Sequence, residues 1–151
     1  MKRLFLYFIM LQLVIINNAC KNAANDPKEA SEKLTATPEW SIYEILVNDA
    51  VTFKDGKMIQ QFGGIDFERY METVSFKANG DFEGIFKGDS KPMLLRWKLN
   101  EKDITIFSQD NKGGAWTVLP GDVTDDSFEM KTQSTAYDYP RMTKITLKFK
   151  R

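Results

Sequence analysis

The sequence predicts an all-β fold, specifically an eight-stranded antiparallel up-and-down barrel. From Trp40 onward, apolar residues alternate with polar ones instead of recurring at helical spacing. β-branched and aromatic residues dominate between the turn signals. No helical pattern lies between the strands that could serve as a parallel crossover, so neighbouring strands should be antiparallel. Closure would remove the exposed sheet edges, and an open β-sandwich of the same strands is the alternative.

Turn signals divide this region into eight strands, predicted at 40–47, 68–77, 81–87, 93–99, 103–108, 115–119, 127–133 and 141–150. The last is the clearest, because Ile145, Leu147 and Phe149 share one face and lysines occupy the other. Asn79-Gly80 predicts a tight hairpin, with further turns at 100–102 and 120–126. Segment 48–66 is predicted to be either a small hairpin or a lid.

Composition limits the classes of function. The 151 residues, 42% of them apolar, suffice for one domain with a core, and the 21 basic residues match the 21 acidic ones. A balanced charge argues against a nucleic-acid partner. One cysteine and no histidine exclude an internal disulfide and histidine-based triads, and they remove the usual zinc and haem ligands. We therefore expect no cofactor, no metal and no enzymatic activity.

The N-terminus has the three-part pattern of a secretory signal peptide over residues 1–19. Lys2 and Arg3 precede an apolar run from Leu4 to Ile16, and small or polar residues follow up to Ala19. As a helix the run would span about 20 Å, short of the roughly 30 Å hydrocarbon core. A signal peptide is therefore favoured over a membrane-spanning anchor.

Cys20 directly follows Ala19, and this junction resembles that of bacterial lipoprotein precursors. The resemblance implies acylation of Cys20, for example with palmitate, and export to the cell envelope, with the outer membrane as the expected location. Cleavage after Ala19 that leaves a free thiol is the alternative. Residues 21–39 are small or polar, with Leu34 as the only large apolar residue. We therefore predict that residues 20–39 form a flexible, lipid-anchored tether that carries a barrel domain of residues 40–151.

Two residues at the ends of this domain carry a second resemblance. Trp40 stands near the start of the first strand and Arg151 near the end of the last. In this the chain resembles the lipocalin-like small lipoproteins of the calycin group, in which two such residues meet at the closed end of the barrel. The resemblance implies a barrel that binds a small ligand. A frayed charged terminus at Arg151 is the alternative.

Strand direction places four connections at the open end, or mouth, of this barrel: 48–66, 88–92, 109–114 and 134–140. Tyr137, Tyr139 and Arg141 there could bind a carboxylate or stack on a flat ligand, or could simply cover the rim. Met58 and Phe62 could form an apolar lid, or a loop clamped by its own side chains.

The predicted interior is crowded with aromatic rings, with Gly84 as the one obvious gap. Glu44 shares the parity of Trp40 and Ile42, which would make it a buried carboxylate with a raised pKa, or it faces outward beneath the long loop. We expect a non-enzymatic membrane-anchored protein that binds a small apolar or amphipathic ligand or maintains the envelope. The alternative is a protein-binding module, an inhibitor or assembly factor, that acts through the mouth loops.

Overall fold

Ten strands form one antiparallel sheet in the computed structural model, which describes residues 22–60, 70–110 and 114–151 and omits the Tyr137 side chain. The predicted signal peptide, Cys20 and Phe62 lie outside these ranges. The strands are β1 (Trp40–Val47), β2 (Ala50–Lys54), β3 (Lys57–Met58), β4 (Met71–Phe76), β5 (Asp81–Phe86), β6 (Met93–Leu99), β7 (Ile104–Phe107), β8 (Trp116–Val118), β9 (Ser127–Asp138) and β10 (Arg141–Lys150). All eight predicted strands are present. The strands β2 and β3 are additional.

The sheet closes on itself, as predicted. Strands β4 to β10 pair consecutively, β10 pairs with β1, and β1 pairs with β4, which completes a ring of eight strands. The closing seam runs from the Ser41–Lys150 pair to the Val47–Ile145 pair. An open sandwich is therefore wrong, because the strands that would form its edges hydrogen-bond to each other.

The predicted contact at the closed end is also confirmed. The Arg151 guanidinium carbon lies 5.9 Å from the centroid of the Trp40 ring. The backbone N–H of Arg151 donates to Asp126, 3.1 Å away, so the C-terminal residue is held in place rather than frayed. Trp40 itself is fully buried.

A hairpin formed by β2 and β3 enters the wall beside the mouth half of β1. Among the described residues, Trp40 and Ser41 of β1 pair with β4, whereas Glu44 to Val47 pair with β2. The turn between β1 and β2 consists of Asn48 and Asp49, with φ of 50° and 66°. Asn and Asp tolerate this left-handed backbone better than most residues, which favours a two-residue hairpin turn. The hairpin interpretation of segment 48–66 is thus confirmed for residues 50–58.

A β-bulge between Ile42 and Glu44 reverses the inward parity of β1. Beyond it, Ile45 and Val47 face the core, while Glu44 pairs with Lys148 on the outer face. A bulge inserts one residue and so moves every following side chain to the other face. The interpretation of Glu44 as an inward carboxylate beside Trp40 is therefore wrong, and the favoured interpretation, that Glu44 faces outward, is confirmed.

Aromatic rings fill the closed half of the interior. Phe128 contacts Trp40 edge-on at 5.2 Å and stacks on Phe149 at 4.9 Å. The gap expected at Gly84 is filled, because a Cβ built there would lie only 2.7 Å from Met71 Sδ. The rings thus leave little room for a ligand in the closed half, and Met71 occupies the space beside Gly84, where β5 pairs with the start of β6.

A helix, α1 (Pro27–Ala36), covers the closed end. Its N-cap is Asp26, whose carboxylate accepts a 2.8 Å hydrogen bond from Glu29 N, and Pro27 occupies the first turn. Leu34 is fully buried, and its carbonyl accepts from Trp40 Nε1 at 3.1 Å. The predicted flexible tether is therefore wrong for residues 27–36, because docking on the barrel stabilises a helix too short and polar to persist alone.

Candidate functional site

The inner wall of the mouth half carries apolar side chains that remain half-buried. They project from strands β5, β6 and β8 and from the residue before β4: Phe86, Met93, Leu95, Trp116 and Tyr70. Register places these strand residues on the inner face, since Met93 pairs with Gly84 and Trp116 pairs with the buried Ile106. In contrast to the closed end, this wall is partly accessible.

The facing wall, on β9 and β10, is lined with hydroxyl groups. Thr132, Ser134 and Thr143 share the inner face, because Thr132 pairs with Ile145, and Ser134 with Thr143. Thr132 Oγ1 donates to Ala115 O at 2.8 Å, and Ser134 Oγ accepts from Ala136 N at 3.0 Å. Two of the three hydroxyls thus have partners within the chain.

Thr143 is the exception. Its side chain is 1% exposed, and its Oγ1 has no hydrogen-bond partner among the described residues. A buried hydroxyl without a partner costs about 1 to 3 kcal/mol. A polar atom of a bound ligand that formed a hydrogen bond with this hydroxyl would remove that cost.

The wall is split beside the β2–β3 hairpin. Strand β3 is the last in the sheet order, and within the described residues no backbone ladder joins it to β4. A side-chain contact spans this gap from β2 to the residue before β4, since the rings of Phe53 and Tyr70 lie 4.7 Å apart. Met58 pairs with Phe53 and is 44% exposed at this edge. The predicted lid residue Met58 therefore lies beside the split, while its predicted partner Phe62 is outside the described residues.

The other predicted site residues lie on a separate hairpin, formed by β9 and β10. Tyr139 is 85% exposed at its tip. Arg141 Nε is 3.0 Å from Asp138 Oδ2, so its guanidinium already has a carboxylate partner within the chain. The backbone of Tyr137 is in β9. The structure thus groups Tyr139 and Arg141 but places Met58 on a different hairpin.

Sequence reasoning missed Thr143, although a signal for it exists. In "TKITLKF", Thr143 has the same parity as Ile145, Leu147 and Phe149, which are all buried. A polar residue on the inward parity of an otherwise apolar strand is the informative exception.

On the outer wall, alternating charges form a continuous chain across the closing seam: Asp122–Lys131 (2.5 Å), Lys131–Glu129 (3.2 Å), Glu129–Lys148 (3.3 Å), Lys148–Glu44 (3.0 Å) and Glu44–Lys54 (3.4 Å). Burial alone would raise the pKa of Glu44, but hydrogen bonds and positive charge from Lys148 and Lys54 outweigh it and hold the pKa below its ordinary range. Glu44 is therefore an ionised structural group and lacks the raised pKa of the predicted buried carboxylate.

A groove of about 360 Å³ lies outside the barrel, between β8 and β9. Lys131 and Lys144 line it, but each already pairs with a carboxylate, Asp122 at 2.5 Å and Asp49 at 2.7 Å. Both lysines thus have anionic partners within the chain, so neither is free to bind an anionic ligand in this groove. We therefore take the mouth half of the barrel as the stronger candidate for a ligand-binding site.

In the described ranges, no group of three or more acidic, cysteine or histidine side chains could hold a metal ion. Across those same ranges, no helix combines the length and apolar character needed to cross a bilayer. A scan against protein-family models finds no match, and searches of the curated proteins and of the solved structures find none either.

Proposed function

We propose that this protein is an exported, membrane-anchored, lipocalin-like lipoprotein that binds a small amphipathic ligand in the mouth half of its barrel without catalysing a reaction. The observation that carries the proposal is the buried hydroxyl of Thr143 on the inner wall, which has no hydrogen-bond partner among the residues that the structure describes. It faces a wall of half-buried apolar side chains. A ligand with an apolar body and a hydrogen-bonding head matches both walls.

Barrel geometry limits the size of this ligand. Eight strands enclose space for side chains or one small molecule, and rings already occupy the closed half. The ligand therefore lies above Phe128, with its polar atom near Thr143. Met58 is 44% exposed on β3 and Met93 is half-buried on the inner face, and such unbranched, flexible side chains change rotamer at little cost to admit a ligand.

The anchoring part of the proposal rests on the N-terminal sequence. The signal-peptide pattern ends at Ala19, and Cys20 follows. An acyl chain on Cys20 would keep the protein in the cell envelope, with the outer membrane as the expected location. Stable attachment generally needs more than one acyl chain.

Native mass spectrometry of the protein purified from its own membrane tests both parts. We expect a mature chain that begins at Cys20 and carries added acyl mass, together with a noncovalent mass of one small molecule. The Cys20→Ser variant should lose the acyl mass and the membrane association but keep its thermal melt. An unacylated chain would overturn the anchor, and an acylated chain with no retained molecule would overturn the ligand.

A second candidate function, protein binding, is favoured by the exposed tip of the β9–β10 hairpin. Tyr139 is 85% exposed there and Met142 58%. Exposed aromatic side chains are enriched in protein interfaces. Replacing Tyr137, Tyr139 and Arg141 with alanine should then abolish capture of an envelope protein and leave the thermal melt unchanged, whereas an unchanged capture profile would exclude this function.

A further inference from the structure

We propose that the closed end of the barrel faces the membrane and that the mouth points away from it, so that the ligand enters from the aqueous phase. This orientation rests on the proposed N-terminal anchor. It adds which surface of the barrel meets the bilayer, and it follows from where Ala24, four residues after Cys20, is held in the fold.

Ala24 is held at the closed end of the barrel. The backbone N–H of Ala24 donates to Val123 O at 2.8 Å, and both residues are buried. Val123 directly follows a 3₁₀ turn (Pro120–Asp122) in the connection between β8 and β9, which lies at the closed end. The chain therefore enters the fold on this face.

Helix α1 then secures the same face along its length. Lys33 Nζ lies 2.6 Å from Asp125 Oδ1. At the C-terminal end of the helix, Thr37 Oγ1 accepts a 2.9 Å hydrogen bond from Arg151 Nε. With Leu34 fully buried beneath it, α1 is part of the barrel body.

The remaining length of chain is short. Cys20 precedes Ala24 by four residues, which span about 14 Å at most when fully extended. A flexible tether of the whole segment 20–39 would have let the barrel tumble freely at its anchor. With α1 docked, an anchor on Cys20 holds the closed end close to the lipid headgroups.

The mouth lies at the far end of the strands. The ten residues of β10 rise about 33 Å along the strand, or roughly 25 Å along the axis of a barrel with ordinary strand tilt. The closed-end turn 100–102 consists of exposed Asn, Glu and Lys. These side chains suit hydrated headgroups and not hydrocarbon, so the closed end rests on the surface without insertion.

Matched labels test the orientation on the full mature chain, purified from its membrane and reconstituted into vesicles. Lys102→Cys places a thiol at the closed end, and Lys91→Cys places one in the mouth connection; both lysines are exposed. Acylated Cys20 has no free thiol, so a fluorophore reports one position at a time. Lipids with a nitroxide on the headgroup should quench the label at 102 severalfold more strongly than the label at 91.

A long Gly-Ser insertion between Lys21 and Asn22 provides the control, and it should abolish the difference between the two labels. Equal quenching without the insertion, or stronger quenching at 91, would overturn the orientation while leaving the anchor intact. A chain that fails to sediment with the vesicles would overturn the anchor and the orientation with it.

Discussion

Thr143→Val is expected to stabilise the protein in the absence of ligand. Valine has nearly the shape of threonine, so the packing against the inner wall is kept while the buried hydroxyl is removed. Because Thr143 Oγ1 has no partner among the described residues, this removal should recover about 1 to 3 kcal/mol of unfolding free energy. For a domain of this size, each kcal/mol corresponds to a rise in Tm of about 4 °C.

Urea unfolding of the delipidated, ligand-free protein measures the effect directly. The midpoint should rise with no change in the m-value, since the surface exposed on unfolding is the same. Thr132→Val is the matched control on the same wall. Its hydroxyl donates to Ala115 O at 2.8 Å, so the substitution leaves that carbonyl without its donor and should lower stability by about 1 kcal/mol.

Ligand binding should respond in the opposite direction. Loss of one hydrogen bond of about 1 kcal/mol corresponds to roughly fivefold weaker binding of the molecule retained from the membrane. Thr143→Val should therefore be a more stable protein that retains less ligand. If the hydroxyl were satisfied, its removal would instead make the variant less stable than the wild type by about 1 kcal/mol or more, and that result would refute the reasoning.

Three further predictions concern the outer wall and the helix. Lys148→Met should lower the unfolding free energy by about 1 to 3 kcal/mol, because Glu44 is 7% exposed and loses its nearest cation. Lys54 is exposed, so the control Lys54→Met should lower it by less than about 1 kcal/mol in the same urea titration. Folding lowers the pKa of Glu44, so the ionised carboxylate stabilises the fold fully above the unfolded value of 4.5, and this stabilisation is lost as pH falls through the lower folded pKa. Glu44→Gln should therefore flatten the acid side of a plot of unfolding free energy against pH. An unchanged plot would contradict this. Leu34→Ala should lower the unfolding free energy by about 2 to 4 kcal/mol, because it leaves a cavity between α1 and the barrel. Glu32→Ala, at an exposed position of the same helix, is the control. Equal melting temperatures for the two variants would show that the helix is not docked.

The barrel could be predicted because its strands are marked by alternation and punctuated by turns. Strand β10 shows this best, since the apolar residues Ile145, Leu147 and Phe149 alternate with threonine and lysine residues. The parity of β1 could not be predicted past Ile42, because both faces of that strand are apolar and a bulge leaves no mark in such a pattern. The Asp26-Pro27 start of α1 is a helix signal, but the stability of that helix comes from burial of Leu34, which composition alone does not reveal.

The candidate site was only partly predictable for a related reason. Loop position directed attention to the mouth, and it selected Tyr139 and Arg141, which are conspicuous in sequence. Whether Arg141 can bind a carboxylate of a ligand depends on the partners of its guanidinium. Sequence position alone does not show that the Asp138 carboxylate already pairs with it. Thr143 is inconspicuous in sequence. Its hydroxyl stands out only in the structure, where Thr132 and Ser134 on the same wall form hydrogen bonds and Thr143 Oγ1 has no partner among the described residues.

The closing seam also sets the order in which the protein can acquire its structure. Ser41 pairs with Lys150, so the first strand of the barrel waits for the last residues of the chain before its edge is covered. Contacts between such distant residues carry a large loop-closure cost and form slowly. Until β10 pairs with β1, both strand edges can pair with other chains, so the polypeptide is most prone to aggregate before this seam has closed.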